Sequence, residues 1–187
     1  MNVRRATRSE TPAVARTLAR AFEEDPAYIA MFPRDRLAGS TRLLERLLEV
    51  VYFPHDDVWV TDDLRAVACW APPGHWQVSL GQTLRLLHLA TVLRSRSIVA
   101  LRMLSGIENK HPKTQHHYLA FLGVDPEAQG RGLGAAVMRP VMDRGGEQYL
   151  ETTNPKNHGF YRRQGFTPMD TVQLPAGVTA TLMTRSS

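Results

Sequence analysis

The sequence predicts one domain, residues 1–187, of the α+β class (mixed α/β), with a central sheet flanked by helices. Three observations carry this. Short apolar runs alternate with helical stretches along the chain. One run, Tyr118–Val124, is nearly continuous in apolar residues, the pattern of a strand buried on both faces. The tail holds two alternating runs, Phe166–Leu174 and Thr179–Met183, which flank Pro175–Gly177 as antiparallel strands should.

The elements follow in order. A short strand opens the chain near Asn2–Arg5. Ser9 reads as an N-cap, with Thr11-Pro12 in the first helical turn. Val14, Leu18, Ala21 and Phe22 then form an apolar stripe, and Asp25-Pro26 ends that helix. A second helix spans Leu37–Val51, with Leu43, Leu44, Leu47 and Leu48 as its face. Val58–Thr61 and Ala66–Ala71, joined by Asp62-Asp63, read as a hairpin, which Pro72-Pro73-Gly74 stops. Residues 81–105 are Leu-rich at helical spacing, in one long or two short helices. After the Tyr118–Val124 strand, Gly132–Asp143 reads as a helix that must accommodate Pro140. Tyr149–Thr153 is a further strand, and Asn157–Gln164 a helix closed by Gly165.

Composition narrows the function classes. The chain is 43% hydrophobic and 22% charged, enough for a sizeable core. No apolar run approaches the roughly 18 residues of a membrane span, and MNVRRATRSE has no apolar signal region. Cys69 is the only cysteine, so neither an internal disulfide nor a Cys-rich metal site is available. These features point to the cytoplasm and away from the membrane. The net charge of +5 comes from arginines spread from Arg4 to Arg185. Such a scattered excess fits a polyanionic small molecule, and no nucleic-acid-binding motif accompanies it. The scarcity of lysine beside arginine has the flavour of a GC-rich bacterial source.

The stretch DPEAQGRGLG, Asp125–Gly134, concentrates glycine between a strand and a helix. A strand, a glycine turn and a helix N-terminus make an anion site, because unpaired N–H groups and the helix dipole point outward together. Gly130, Arg131, Gly132, Leu133 and Gly134 would cradle a phosphate or pyrophosphate through main-chain N–H groups, with Arg131 as a mobile cation. A P-loop would need Lys-Ser/Thr after the last glycine, whereas Ala135-Ala136 follow. A dinucleotide fingerprint matches Gly130-x-Gly132-x-x-Ala135 formally, with Glu151 at about the right distance. Against it, Asp125–Gln129 separate the motif from its strand, and only about fifty residues remain for further βα units.

Gln129-Gly-Arg-Gly-Leu-Gly134 resembles the Q/R-x-x-G-x-G/A signature of the GNAT acetyltransferases. LGVDPEAQGRGLG resembles that family's passage from central strand to cofactor helix, and LETTNPKNHGFYRRQGF its second conserved segment. The LET…N…FY…GF form and the opening RRATRSETPAVARTLARAFEEDP look most like the puromycin N-acetyltransferase-like branch. The resemblance implies a GNAT fold, whose mostly antiparallel sheet splays at the cofactor site. It implies acetyl-CoA as co-substrate and a small primary amine as acceptor, and it is compatible with a homodimer. Residues 30–110 carry no motif that identifies the acceptor.

The same resemblance assigns roles. Tyr161 would be the acid that protonates the departing thiolate; a phenol near pKa 10 giving a proton to a thiolate near 8.5 is uphill by only about 2 kcal/mol. Leu122 and Val124 would offer backbone groups to the pantetheine arm and the thioester carbonyl. Asn154 and Asn157 would hold the cofactor arm or its loop, though both also suit turns and caps. Gln129 belongs to the cofactor motif. Glu151, at the end of a strand, is the candidate base, alone or through water; burial would have to raise its pKa from about 4.3. The rival from another class is a non-catalytic acyl-CoA-binding module, which would not depend on Glu151 or Tyr161.

The remaining polar and aromatic signals have plainer readings. His116 and His117, adjacent on a strand, point to opposite faces and make poor metal ligands. With His111 they read as surface, packing or substrate-wall residues, and no metal is expected. Trp59, Trp70 and Trp76 read as core or edge packing, Trp70 and Trp76 also as walls of an acceptor pocket. Arg85, Arg94, Arg96 and Arg102 give the Leu-rich stretch a basic side. Leu84, Leu87, Ile98 and Leu101 are nevertheless read as packing over the sheet rather than on a bilayer.

Overall fold

A computed structural model describes residues 2–87, 89, 93 and 96–186. Its strands are β1 (Val3–Arg5), β2 (Val58–Thr61), β3 (Ala66–Ala71), β4 (His117–Val124), β5 (Gln148–Thr152), β6 (Thr167–Gln173) and β7 (Thr179–Arg185). They form one seven-stranded sheet in the order β1-β2-β3-β4-β5-β7-β6. Every pairing is antiparallel except that of β4 with β5. The helices described here are α1 (Thr11–Ala21), α2 (Pro26–Met31), α3 (Arg36–Leu47), α4 (Leu80–Leu86), α5 (Ser97–Glu108), α6 (Leu133–Met142) and α7 (His158–Arg163).

The two faces of the sheet carry different layers. On one, α6 and α7 cover β4 and its neighbours, burying Leu119, Leu133, Val137, Met138, Val141, Tyr161 and Phe166 with Trp70. On the other, α1 and α3 pack Val14, Leu18, Leu43, Leu44 and Leu48 against Val58, Val60, Val67 and Cys69. Beside them, Met103 of α5 joins Tyr149, Val172, Leu174 and Leu182. Side chains of β4 alternate between the two layers on either side of Ala120, where the order slips by one, so that Leu119 and Leu122 lie on the α6–α7 face and Tyr118 and Phe121 on the other.

The central strands do not stay paired. β4 and β5 match only over His117–Leu119 and Gln148–Leu150. β4 then follows β3 to Val124, and β5 follows β7 to Thr152. The β3–β4 register slips at this point: Phe121 faces Cys69 and Leu119 faces Trp70, leaving Ala120 as an extra residue. A bulge bends its strand and increases local twist, so β4 turns away where its pairing with β5 ends. The result is a wedge-shaped seam that opens toward the C-terminal ends of both strands. Beyond Leu119 the outer edge of β4 has no strand beside it among the described residues. That is why Ala120, Phe121, Leu122 and Val124 are only partly buried, whereas the sequence pattern predicts burial on both faces.

Other expectations are refined. The first helix is entered through a 3₁₀ turn (Arg8–Glu10) capped from Thr7, not Ser9. Glu10 accepts the Thr7 N–H at 2.8 Å and the Arg4 guanidinium at 2.7 and 3.0 Å. Arg4 and the Thr7 N–H hold its carboxyl at a pKa of about 2. α1 stops at Ala21, and Asp25 instead starts α2, its carboxylate accepting the Ala27 N–H at 2.9 Å. α3 starts at Arg36 and passes at Leu47 into a π-helical turn, Leu48–Tyr52. α6 runs through Pro140, which lies near its C-terminal end on a half-buried face. In the Leu-rich stretch Leu84, Leu87, Ile98 and Leu101 are 60, 63, 64 and 62% exposed, so they do not pack over the sheet. Arg94 lies outside the described residues. Among the described residues no helix is long and apolar enough to cross a membrane.

α1 approaches β4 unusually closely at Gly123. A Cβ there would meet Leu18 Cδ2 at 2.9 Å and Ala21 Cβ at 3.0 Å. Gly123→Ala should therefore destabilise by about 1–3 kcal/mol through overpacking. The urea midpoint should fall while the m-value stays unchanged.

Candidate active site at the β4–β5 seam

Backbone chemistry defines the seam. Asp125 N–H bonds Arg65 O at 2.8 Å, which marks this pair as a hydrogen-bonded position of the β3–β4 ladder, although the Arg65 N–H turns to Asp63 Oδ1 at 3.2 Å. In an antiparallel ladder, hydrogen-bonded and non-hydrogen-bonded pairs alternate. Val67–Gly123 is then bonded, and Ala66–Val124 and Ala68–Leu122 are not. The N–H and C=O groups of Leu122 and Val124 therefore turn away from β3 toward the open seam. Val124 O receives Gln129 Nε2 at 3.2 Å, tying the glycine loop back to the strand.

The loop is shaped by its glycines. Asp125 caps a 3₁₀ turn (Pro126–Ala128) by accepting the Glu127 N–H at 3.0 Å. Gly130 and Gly132 then adopt φ of +75° and +76°, and a Cβ on either would meet nothing within 4 Å. Backbone conformation, not crowding, demands glycine there. Gly132 is the N-cap of α6, and no side chain caps this helix. The first amide to reach an intrahelical carbonyl is that of Ala136, on Gly132 O at 3.1 Å. The amides of the first turn and exposed Arg131 thus make a positive, concave end beside the mouth of the seam.

Tyr161 lies on this same face, buried with Phe160 and Phe166 at ring distances of 5.2 and 6.1 Å. Burial, and secondarily the Asp25 carboxylate, push its phenol well above the ordinary range. Asp25 itself is raised by burial and accepts the Thr153 hydroxyl at 2.7 and 2.9 Å. Asn154 is occupied in the turn after β5, accepting the Lys156 N–H at 3.1 Å. Asn157 starts α7 without a capping bond from its own side chain.

Glu151 lies on the opposite face, beyond the last β4–β5 pair. Its side chain is 6% exposed, and Oε1 lies 3.2 Å from His111 Nδ1. His111 Nε2 lies 2.9 Å from His116 Nε2, and His116 Nδ1 donates to Thr114 O at 2.7 Å. Trp76 stacks on His111 at 3.8 Å. These histidines are buried, His111 against Glu151 and His116 against His111, so the surface reading fails while the packing and substrate-wall readings stand. His117 lies apart from them, half-buried. Trp76 borders the site, whereas Trp70 is fully buried on the other face. Sequence reasoning also misses the aromatic wall of Tyr118, Tyr52, Phe121, Phe22 and Tyr28. Tyr52 and Phe121 meet edge-on at 5.2 Å and Phe22 stacks on Tyr28 at 4.8 Å. Among the described residues no group of three or more His, Cys, Asp or Glu could hold a metal ion. Cys69 is buried, and burial pushes its thiol far up.

The chain is 36% identical over 74 residues to the mycothiol acetyltransferase of Beutenbergia cavernae, a match covering 36% of this chain and 25% of that protein. It thus spans about a quarter of that relative's length. Its fold is similar to a Corynebacterium glutamicum structure described as histone acetyltransferase HPA2 and related acetyltransferase. There the TM-score is 0.76 and identity 23%, covering 99% of this chain and 95% of that one. It is also similar to arylalkylamine N-acetyltransferase 2 of Aedes aegypti, with TM-score 0.67 and 13% identity over 99% and 98% of the two chains. A family model described as the acetyltransferase (GNAT) family matches residues 44–166, and the chain belongs to that family.

Proposed function

We propose that the protein is an acetyl-CoA-dependent N-acetyltransferase that acts on the primary amine of a small molecule by direct transfer in a ternary complex. One observation carries the reading. The seam joins an uncapped helix N-terminus and turned-out backbone groups on one face to a buried carboxylate on the other.

The residues divide accordingly. The amides of the Gly130–Gly134 loop and Arg131 suit a pyrophosphate. Gln129 holds the loop, while Leu122 and Val124 offer backbone groups to an extended amide-bearing arm. Asn157 is free to contact that arm, and Asn154 shapes the turn that presents Asn157. Acetyl-CoA, when bound, supplies the thioester and a thiolate leaving group. An amine near pKa 10.4 must lose a proton to attack, at a cost of roughly 4–5 kcal/mol at neutral pH. Glu151 is the buried base placed to accept that proton. Tyr161 is the acid; burial raises its phenol, which keeps it protonated but makes the transfer to a thiolate more uphill than from a free phenol, so the charged thiolate must form in the same buried setting. Buried Cys69 supports direct transfer, since it offers no accessible thiolate. The half-exposed rings of Phe22, Tyr52 and Phe121 favour an acceptor with an apolar body. The resemblance to the puromycin N-acetyltransferase-like branch also supports a small-molecule acceptor.

A screen of primary amines with acetyl-CoA and a thiol indicator tests this. Acceptor-dependent thiol release is the expected outcome, and its absence across aliphatic, aryl and polyamine acceptors counts against transfer. Tyr161→Phe should lower turnover about a hundredfold with little change in CoA affinity. Gly132→Ala should act in the opposite way. A side chain at φ +76° costs roughly 1–2 kcal/mol, and CoA affinity measured by calorimetry should fall about tenfold or more.

A further inference from the structure

Glu151 is not a lone carboxylate. His116 Nδ1 donates to the Thr114 carbonyl at 2.7 Å, so this nitrogen carries hydrogen. Burial lowers the pKa of His116, so its ring is neutral and Nε2 is a bare acceptor. His111 Nε2, 2.9 Å away, must then be the donor in that contact. The remaining nitrogen, His111 Nδ1, lies 3.2 Å from Glu151 Oε1. A lone pair there would oppose a carboxylate oxygen, so the contact favours one shared hydrogen. It is either imidazolium with carboxylate or imidazole with carboxylic acid. Trp76, stacked at 3.8 Å and 19° on His111, holds the ring in that plane.

We propose that the proton acceptor for the incoming amine is the Glu151–His111 pair acting as one site, with His116 as the positioning residue that fixes the His111 tautomer. This rests on the acetyl-transfer reading above. The reactive form is one proton short, a Glu151 carboxylate beside a His111 imidazole that bears hydrogen on Nε2. An N–H bond of the acceptor ammonium breaks and its electron pair stays on the amine nitrogen. The proton enters through the Glu151 carboxyl and is held in the Nδ1–Oε1 contact, so the pair goes from one net negative charge to none. A lone carboxylate near 4.3 lies about 6 pKa units below an amine near 10.4, and an imidazole near 6.5 only about 4. The pairing therefore makes the base stronger and avoids a buried net charge after transfer. The groups around the pair are those on every element packed against it. Tyr118 and Tyr149 meet His111 edge-on at 4.9 and 4.6 Å. Tyr52 senses Glu151, and Glu147 acts on His116. Lys110, next to His111 in sequence, is spent on Asp170 at 2.8 Å.

Two measurements on the whole protein test this. Imidazole ¹⁵N spectra against pH need no activity. His116 should remain the Nδ1–H tautomer. His111 should keep hydrogen on Nε2 across the pH range, and Glu151→Gln should change its Nδ1 signal. A bare His111 Nε2, or an Nδ1 signal indifferent to Glu151→Gln, overturns the pairing. The second is kcat/KM against pH at saturating acetyl-CoA. Because the pair must be deprotonated, activity should rise with pH through a limb that belongs to it. His111→Phe keeps a ring against Trp76; it should cost at least tenfold and displace that limb, and His116→Gln, which retains an acceptor, should cost less. An unmoved limb in a folded, active His111→Phe protein overturns the pairing alone. No transfer by the wild-type protein overturns the acetyl-transfer reading, and with it the acceptor role.

Discussion

The parting of β4 from β5 is the constraint on which the rest of the structure depends. A strand in the middle of a sheet normally spends its N–H and C=O groups on two neighbours. Here β4 loses one neighbour after Leu119, where the Ala120 bulge bends it away. Backbone groups at Leu122 and Val124 are left facing a seam in the interior of the sheet. That arrangement is costly for a purely structural element and well suited to an extended ligand rich in amides. The close packing of α1 on Gly123 holds β4 in its bent course. The same helix leads to Asp25, which binds Thr153 just beyond β5. The two sides of the seam are thus braced from the same layer.

The seam also separates two chemistries. On one face lie the glycine loop, the uncapped α6 N-terminus and Tyr161, a set suited to negative charge and to an acid. On the other lie Glu151 and the two histidines, with Trp76 and the tyrosines around them, a set suited to taking up a proton. A sheet of ordinary pairing would keep these faces apart by its own thickness. Opened between β4 and β5, it brings the two sets to either side of one seam. Buried Cys69 fits that division, since it packs against β2 and α1 and takes no part in the site.

Much of this was legible in the sequence, and what was not has physical causes. The Val58–Thr61 and Ala66–Ala71 hairpin was readable because turn residues bracket two β-rich runs. The glycine loop was readable because φ near +75° at Gly130 and Gly132 leaves few alternatives. Thr7-x-x-Glu10 is itself a capping-box spacing, overlooked in favour of Ser9. The seam is different: a continuous apolar run shows that β4 is central but not where its partner leaves it. His111 lies in a connection without periodicity, and β4 begins only at His117, so the strand alternation expected of His116 and His117 does not place His116. Their meeting with Glu151, 35–40 residues away, is purely tertiary. The exposed leucines of α4 and α5 mark the converse, since helical spacing fixes a face but not what it packs against.

The claim that the β4–β5 seam is the acetyl-CoA site is tested most directly by amide-resolved NMR during titration with CoA. The largest shifts should fall on Leu122 and Val124 and on the amides from Gly130 to Ala135, with little change along β1, β2 and β6. Binding that leaves those amides unmoved, or that shifts a different surface, would contradict the account.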